Sequence, residues 1–169
     1  MQDFIEIYDQ YAERIYNFIY YKTHHKETAE DLTSETFIKA LSKFDSFDKN
    51  KGSLSSWIYR IARNTVIDFY RTKKNIVNID DVWDLSEDSD ISQDFDTKEK
   101  LKEAKKHLKK LKSNQREIVM LRIWEGLSYK EISLITDNTE AGCKMAFMRA
   151  MRALRQEMPL HVLLALLLF

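Results

Sequence analysis

The chain has 169 residues, enough for one medium domain or two small ones, with 44% hydrophobic residues to build cores. Only 3 Gly and 1 Pro are present, too few for a turn-rich β fold, so the composition points to an all-α protein of helices joined by short connections. The single cysteine, Cys143, excludes an internal disulfide, and the formal net charge of zero taken alone argues against a nucleic-acid binder. The acidic, amphipathic start MQDFIEIYDQ lacks a signal-peptide layout, which gives a cytoplasmic expectation.

The neutral total hides a strongly segregated charge. Residues 1–75 carry 12 basic and 11 acidic side chains, net +1; residues 76–97 carry eight acidic and no basic ones, net −8; residues 98–169 carry 15 basic and 8 acidic, net +7. An acidic strap therefore joins a mildly basic head to a basic tail. The expected organisation is two small helical domains, 1–75 and 98–158, an acidic flexible linker over 76–97, and an apolar C-terminal tail over 159–169.

In the first domain, Phe4, Ile7, Tyr8, Tyr11, Ile15, Phe18 and Ile19 recur in steps of three and four and place one apolar face on a helix. Thr28 is the expected N-cap of the next helix, with Asp31 three residues on. Its core stripe is Ala29, Leu32, Thr36 or Phe37, Ala40 and Leu41, and Asp31, Ser34, Glu35 and Ile38 share another face. That face suits a partner or is simply solvated. The segment KFDSFDKNKG, holding Phe44, Phe47, Asn50 and Lys51, looks like a loop. Ser53 to Lys74 is the longest helical candidate, with Leu54, Ile58, Ile61, Thr65 and Phe69 as its buried stripe. Arg60, Arg63, Ile67, Arg71 and Lys74 fall on a different side, interleaved with Trp57, Tyr59, Phe69 and Tyr70. Cations mixed with aromatics suit a nucleic-acid groove, because Lys and Arg meet phosphate and rings stack on unpaired bases. The competing reading is that Trp57 and Phe69 are core and that Arg60 and Arg63 pair within the domain.

The strap has no helical period, and its like charges favour an extended chain. Trp83, Ile91 and Phe95 punctuate it as anchors or as parts of a solvated linker. Beyond it, KEKLKEAKKHLKKLK is a lysine-rich amphipathic helix with Leu101, Ala104, Leu108 and Leu111 inside. Asn114 is the expected cap of a helix carrying Ile118, Val119, Leu121 and Trp124 and ending at Gly126. Ser128 and Glu131 make a capping box, and Leu127 with Ile132 a hydrophobic staple. After the break TDNT comes a helix with Cys143, Phe147, Ala150 and Leu154 inside and Lys144, Met145, Met148, Arg149, Arg152 and Arg155 largely outside. Two short helices with a tight break, the second basic and exposed, make a helix-turn-helix inside a four-helix domain. Thr139, Glu140 and Lys144 lead this helix toward base edges, Arg149 and Arg152 follow, and Tyr129 and Lys130 lie near phosphate.

No catalytic arrangement emerges. His24, His25, His107 and His161 are scattered, Cys143 lies on an inner stripe, and there is no Gly-rich phosphate loop, so no cofactor, metal or small-molecule substrate is expected.

AEDLTSETFIKAL (29–41), WIYRIARNTVIDFYR (57–71) and LSYKEISLI (127–135), in this order and with this acidic linker, resemble the signatures of extracytoplasmic-function sigma factors of the sigma-70 family, over about residues 5–157. The resemblance implies a sigma factor that binds core RNA polymerase and promoter DNA, with an anti-sigma factor as a further partner. It implies that Asp31, Ser34, Glu35 and Ile38 bind the polymerase clamp. It implies that 44–53 captures a base flipped from the −10 element, which Trp57, Arg60, Arg63, Asn64, Arg71, Lys73 and Lys74 help read and melt. The linker would thread toward the polymerase active site. Tyr129, Lys130, Thr139, Glu140, Lys144, Met145, Met148, Arg149 and Arg152 would read the −35 element. Three departures stand out. Ser34 replaces a usual glutamine, AGCKMAFMRA replaces the usual GTVKSRLHRA, and the chain ends in LHVLLALLLF, too short to span a bilayer. Packing of this tail on the second domain, or self-association, is the expectation. The rival functions are a helix-turn-helix repressor or activator acting without polymerase, and a helical protein-interaction adaptor.

Overall fold

The structure, a computed structural model, describes residues 2–74, 103, 104 and 106–163. The acidic strap with Trp83, Ile91 and Phe95, Leu101, and residues 164–169 lie outside the described residues. All regular structure among the described residues is helical. Two compact units divide the chain.

The first unit is built from α1 (Gln2–Thr23), α2 (Lys26–Lys43), a 3-10 turn (Phe44–Ser46) and α3 (Leu54–Lys74). The three-and-four periodicity of α1 buries Ile7, Tyr11, Ile15, Phe18 and Ile19, while Tyr8, at the margin of the stripe, is half exposed. The Phe18 and Tyr59 rings meet edge to face at 5.2 Å, joining α1 to α3 at the centre of the unit. Two polar ties fix the same pair of helices. Tyr11 Oη and Ser55 Oγ share a hydrogen bond of 2.7 Å, and Tyr70 Oη donates to the Lys22 carbonyl at 3.2 Å. Burial pushes the Tyr70 phenol above its ordinary value. The buried threonines of α2 are satisfied locally, Thr33 Oγ1 donating to Ala29 O and Thr36 Oγ1 to Leu32 O.

The start of α2 differs from the expectation. Its N-cap is His25, whose Nδ1 accepts from the Thr28 backbone N–H at 3.3 Å, so Thr28 lies inside the first turn. A left-handed residue, His24 at φ 47°, reverses the chain just before it.

In the second unit, helical backbone over 106–109 leads into α4 (Ser113–Ile123), α5 (Tyr129–Thr136) and α6 (Glu140–Glu157). Ala104, Leu108, Leu111, Val119, Ala150, Leu154 and Met158 form its core, together with Val162 and Leu163. The beginning of the apolar tail thus packs on this unit, while Leu160 is exposed. Lys112, not Asn114, is the N-cap of α4, and no side chain bonds there.

Arg116, in the first turn of α4, instead closes the end of the helical segment before it. It is buried, and its guanidinium donates to the carbonyls of Leu108, Lys109 and Leu111 at 3.0–3.1 Å. The last carbonyls of a helix have no partner within it, and a cation favours that end of the helix dipole. The planar fork of Arg can meet several carbonyls at once. Removing it takes a donor from three carbonyls, two of them in buried bonds, of which that of Leu108 keeps the Leu111 N–H. We expect Arg116→Ala to lower the unfolding free energy by about 3 kcal/mol and Arg116→Lys by about half as much, measured by urea denaturation. A loss under about 0.5 kcal/mol for Arg116→Ala would contradict this role.

Candidate nucleic-acid and polymerase interfaces

The outer face of α2 carries Asp31, Ser34, Glu35 and Ile38, all exposed, Ile38 to 68%. Ser34 Oγ donates back to the Glu30 carbonyl at 3.0 Å, and Glu35 pairs with Lys39 at 2.7 Å. Leu41, expected in the core, is instead 54% exposed, one turn beyond Ile38. Residues 29, 32, 33, 36, 37 and 40 fill the inner face, and residue 41 falls past its edge. Ile38 and Leu41 are thus two uncovered branched aliphatics beside this polar face.

The connection after α2 is ordered by its own side chains. Asp48 Oδ1 accepts from the Asn50 backbone N–H at 2.9 Å, and its carboxylate lies 3.6 Å from Lys51 Nζ. That backbone hydrogen bond, then the Asn50 side chain and the Lys51 charge, hold the Asp48 carboxyl below its usual range. Asn50 and Lys51 are exposed. Phe44 and Phe47, both half-buried, lean on Trp57 at the start of α3, with ring centroids 6.4 and 5.2 Å away. Beside them opens a pocket of about 580 Å³, floored by Phe44, Phe47, Ile7 and Leu54 and edged by Glu6, Gln10, Lys49 and Ser53.

Along α3 the exposed line is Arg60, Asn64, Asp68 and Arg71, with half-buried Trp57 at its head. Steps of three and four put these five on one side. Lys73 and Lys74 continue α3, and only their backbone is among the described residues. Two members of the expected basic ridge lie elsewhere. Arg63 is 7% exposed and Ile67 8%. The inner face of α3 is centred on Ile58, Tyr59, Ala62, Val66 and Tyr70, not on Leu54, Ile61 and Phe69, which are half-buried. That rotation carries positions 63 and 67 to the buried margin. Asp68 also interrupts the cationic line, 3.9 Å from Lys39 Nζ.

In the second unit the start of α5 matches the expected capping box. Ser128 Oγ accepts from the Glu131 backbone N–H, and Glu131 Oε2 accepts from the Ser128 backbone N–H at 2.8 Å. Tyr129 is held between two neighbours and is half-buried. The Arg122 guanidinium lies 4.8 Å over its ring, and Phe147 meets it edge to face at 5.9 Å. Arg122 also donates to the Leu127 carbonyl at 2.8 Å. Arg122 had no signal of this role in the sequence, where it reads as one more surface cation. Lys130 is exposed.

Asp137, left-handed at φ 54°, ends α5, and Thr139 caps α6 by accepting from the Gly142 backbone N–H at 3.0 Å. A Cβ at Gly142 would stand 2.7 Å from Asn138 Oδ1 and 2.9 Å from Thr139 Oγ1, both side-chain atoms that would have to shift to admit a larger residue. Cys143, Ala150 and Leu154 are buried on α6, and Glu140, Lys144, Met145, Met148, Arg149 and Arg152 are exposed, as is Thr139. Among the described residues no group of His, Cys, Asp and Glu is placed to hold a metal ion, and no helix is long and apolar enough to cross a membrane.

Residues 7–76 match the Sigma-70 region 2 family model, and residues 101–154 match the Sigma-70 region 4 model. The ECF RNA polymerase sigma factor SigM of Bacillus subtilis is 34% identical over 151 residues, spanning 89% of this chain and 91% of SigM. The chain belongs to the extracytoplasmic-function group of sigma-70 factors. The ECF sigma factor BldN of Streptomyces coelicolor is 33% identical over 160 residues, but the match spans 60% of BldN's length against 92% of this chain. In fold, the chain resembles the sigma factor RpoE of Bartonella quintana, solved with the anti-sigma factor NepR, at a TM-score of 0.70 and 23% identity, covering 92% of this chain and 96% of that one. This sigma factor is a promoter-specific transcription initiation factor, not an enzyme, and its partners are core RNA polymerase and promoter DNA. Action without polymerase, as a repressor or as an adaptor, is thereby set aside.

The burial of Arg63 sets it apart from the exposed line of Arg60 and Arg71 on α3. We expect Arg63→Ala to cost about 3 kcal/mol of stability, as for a buried cation removed from its surroundings. Arg60→Ala and Arg71→Ala should stay within about 0.5 kcal/mol. Thermal melts of the three variants decide it, and equal losses would put Arg63 back on the exposed line.

Proposed function

We propose that the two units divide the promoter between them, residues 1–75 acting on the opened −10 element and 98–158 on the intact −35 duplex. The observation that carries this is the pocket lined by Phe44 and Phe47, whose rings also lean on Trp57, the residue that heads the exposed line of Arg60, Asn64 and Arg71. A flipped base needs an apolar slot with polar edges, and the strand leading to it needs cations. Unpairing and extruding a base costs a few kcal/mol. Stacking on an aromatic platform returns about 1–3 kcal/mol per base, and phosphate contacts from Arg60, Arg71, Lys73 and Lys74 add to it.

On this reading Asp31, Ser34, Glu35, Ile38 and Leu41 form the face for the polymerase clamp, its aliphatic pair supplying apolar area within an acidic surround. Glu140, Lys144, Met145, Met148, Arg149 and Arg152 enter the major groove, and Lys130 meets phosphate at its edge. Tyr129, braced by Arg122 and Phe147, is a positioning residue first. The acidic strap over 76–97 lies in a basic channel of the polymerase, where its net charge of −8 mimics nucleic acid. The protein works in the cytoplasm, and an anti-sigma protein covering these faces is its regulator. The solved sigma factor of similar fold is in complex with an anti-sigma factor.

Each unit alone grips DNA weakly, and polymerase holds both at a fixed separation, so that the second contact becomes intramolecular. Run-off transcription with core polymerase is expected to start at discrete promoters only when the protein is added. Free protein should bind the same DNA weakly, with affinity falling steeply as salt rises. Trp57→Ala should cut open-complex formation about tenfold while leaving −35 protection unchanged. Tight sequence-specific binding without polymerase, or normal opening by Trp57→Ala, would contradict the proposal.

A further inference from the structure

The outward face of α6 differs from an ordinary solvated helix. Met145 and Met148 are each 53% exposed, on a helix whose other uncovered large side chains are charged or amide-bearing. At about 100° per residue, positions 141, 145, 148 and 152 project opposite the buried line of Cys143, Ala150 and Leu154. Lys144 and Arg155 lie on one flank of that centre line and Arg149 on the other. The centre of the face is therefore Ala141, Met145 and Met148 in line with Arg152, an apolar stretch with one cation at its C-terminal end, between cationic margins.

A protein partner offering an apolar ridge would match the strip, but it would have to cover cations on both flanks. A polyanion with methyl groups on its floor matches both features. The major groove of duplex DNA has phosphates along both rims, and each thymine presents a 5-methyl group there. Methionine is unbranched and polarizable, and it moulds to such a methyl without a fixed rotamer.

We propose that Met145 and Met148 read thymine methyl groups in the −35 element, so that part of the specificity there rests on apolar contact in place of hydrogen bonds. The inference rests on α6 being the duplex reader. It assigns the centre of the face to base identity and Lys144, Arg149 and Arg155 to phosphate on the two rims.

The test uses holoenzyme reconstituted with core polymerase and a promoter selected from random duplexes. Each −35 thymine is replaced by uracil, which keeps the hydrogen-bonding edge and lacks the methyl. Wild-type holoenzyme is expected to lose about fourfold in binding at each contacted thymine, the worth of one buried methyl group. The Met145→Ala, Met148→Ala double variant should bind the thymine promoter more weakly and make no distinction between thymine and uracil. Arg149→Ala, weaker on all duplexes, should keep the distinction. Both methionines are exposed, so the substitutions leave the core intact, and Met148→Leu should retain most of the uracil response. The inference is overturned if the selected −35 element holds no thymine on either strand, or if uracil is bound as well as thymine throughout. It is also overturned if the double variant stays fully uracil-sensitive, which would leave the pair to a protein partner. A holoenzyme that selects no upstream duplex element would remove the reading role of α6 itself, a failure visible before any uracil is introduced.

Discussion

Everything the two units do depends on how α3 and α6 are rotated about their own axes. A helix presents a face to DNA only because the opposite face is committed to a core, and a shift of one residue turns it by about 100°. For α6 that commitment is made by Cys143, Ala150 and Leu154. Its first turn is capped by Thr139, whose side chain accepts from the Gly142 N–H. For α3 it is made by Ile58, Tyr59, Ala62, Val66 and Tyr70, with Tyr59 against Phe18 and Tyr70 bonded to Lys22. The exposed lines are consequences of these buried ones.

The helix-turn-helix was legible in the sequence because its signals are local. Ser128 and Glu131 sit three apart and cap each other, and the spacing of residues 143, 147, 150 and 154 leaves little choice of face. The first unit was less legible because α3 is apolar or aromatic on more than one side. Leu54, Ile61 and Phe69 compete with Tyr59, Val66 and Tyr70 for the core, and only packing against α1 and α2 decides between them. Arg63 followed the wrong choice, and Leu41 met the same ambiguity at the edge of α2. Caps failed where the protein uses an unusual donor or acceptor. His25 takes the place expected of Thr28, and Arg116 closes a helix end from eight residues away in sequence, where no pattern of spacing points to it. The pocket beside Phe44 and Phe47 draws Glu6, Ile7 and Gln10 from α1, a long-range meeting that no motif encodes.

The net charge of zero is the other place where an average misleads. Cations on α3 and α6 and acids in the strap cancel in the total and stand apart along the chain. The tail departs from the usual pattern of the family in sequence, yet Val162 and Leu163 fill the same core as Leu108 and Leu154. Part of this apolar stretch is therefore structural.

Tethered cleavage on the promoter tests the division of labour most directly. Cys143 is the only cysteine and is buried, so a Cys143→Ala background accepts single cysteines at Asn64 and Arg152, each carrying an iron chelate that cuts nearby DNA. In the open complex with core polymerase, the probe at 64 should cut only around the −10 element and the probe at 152 only around the −35 element. Cutting of the same region from both positions, or cutting at −10 from 152, would contradict the account.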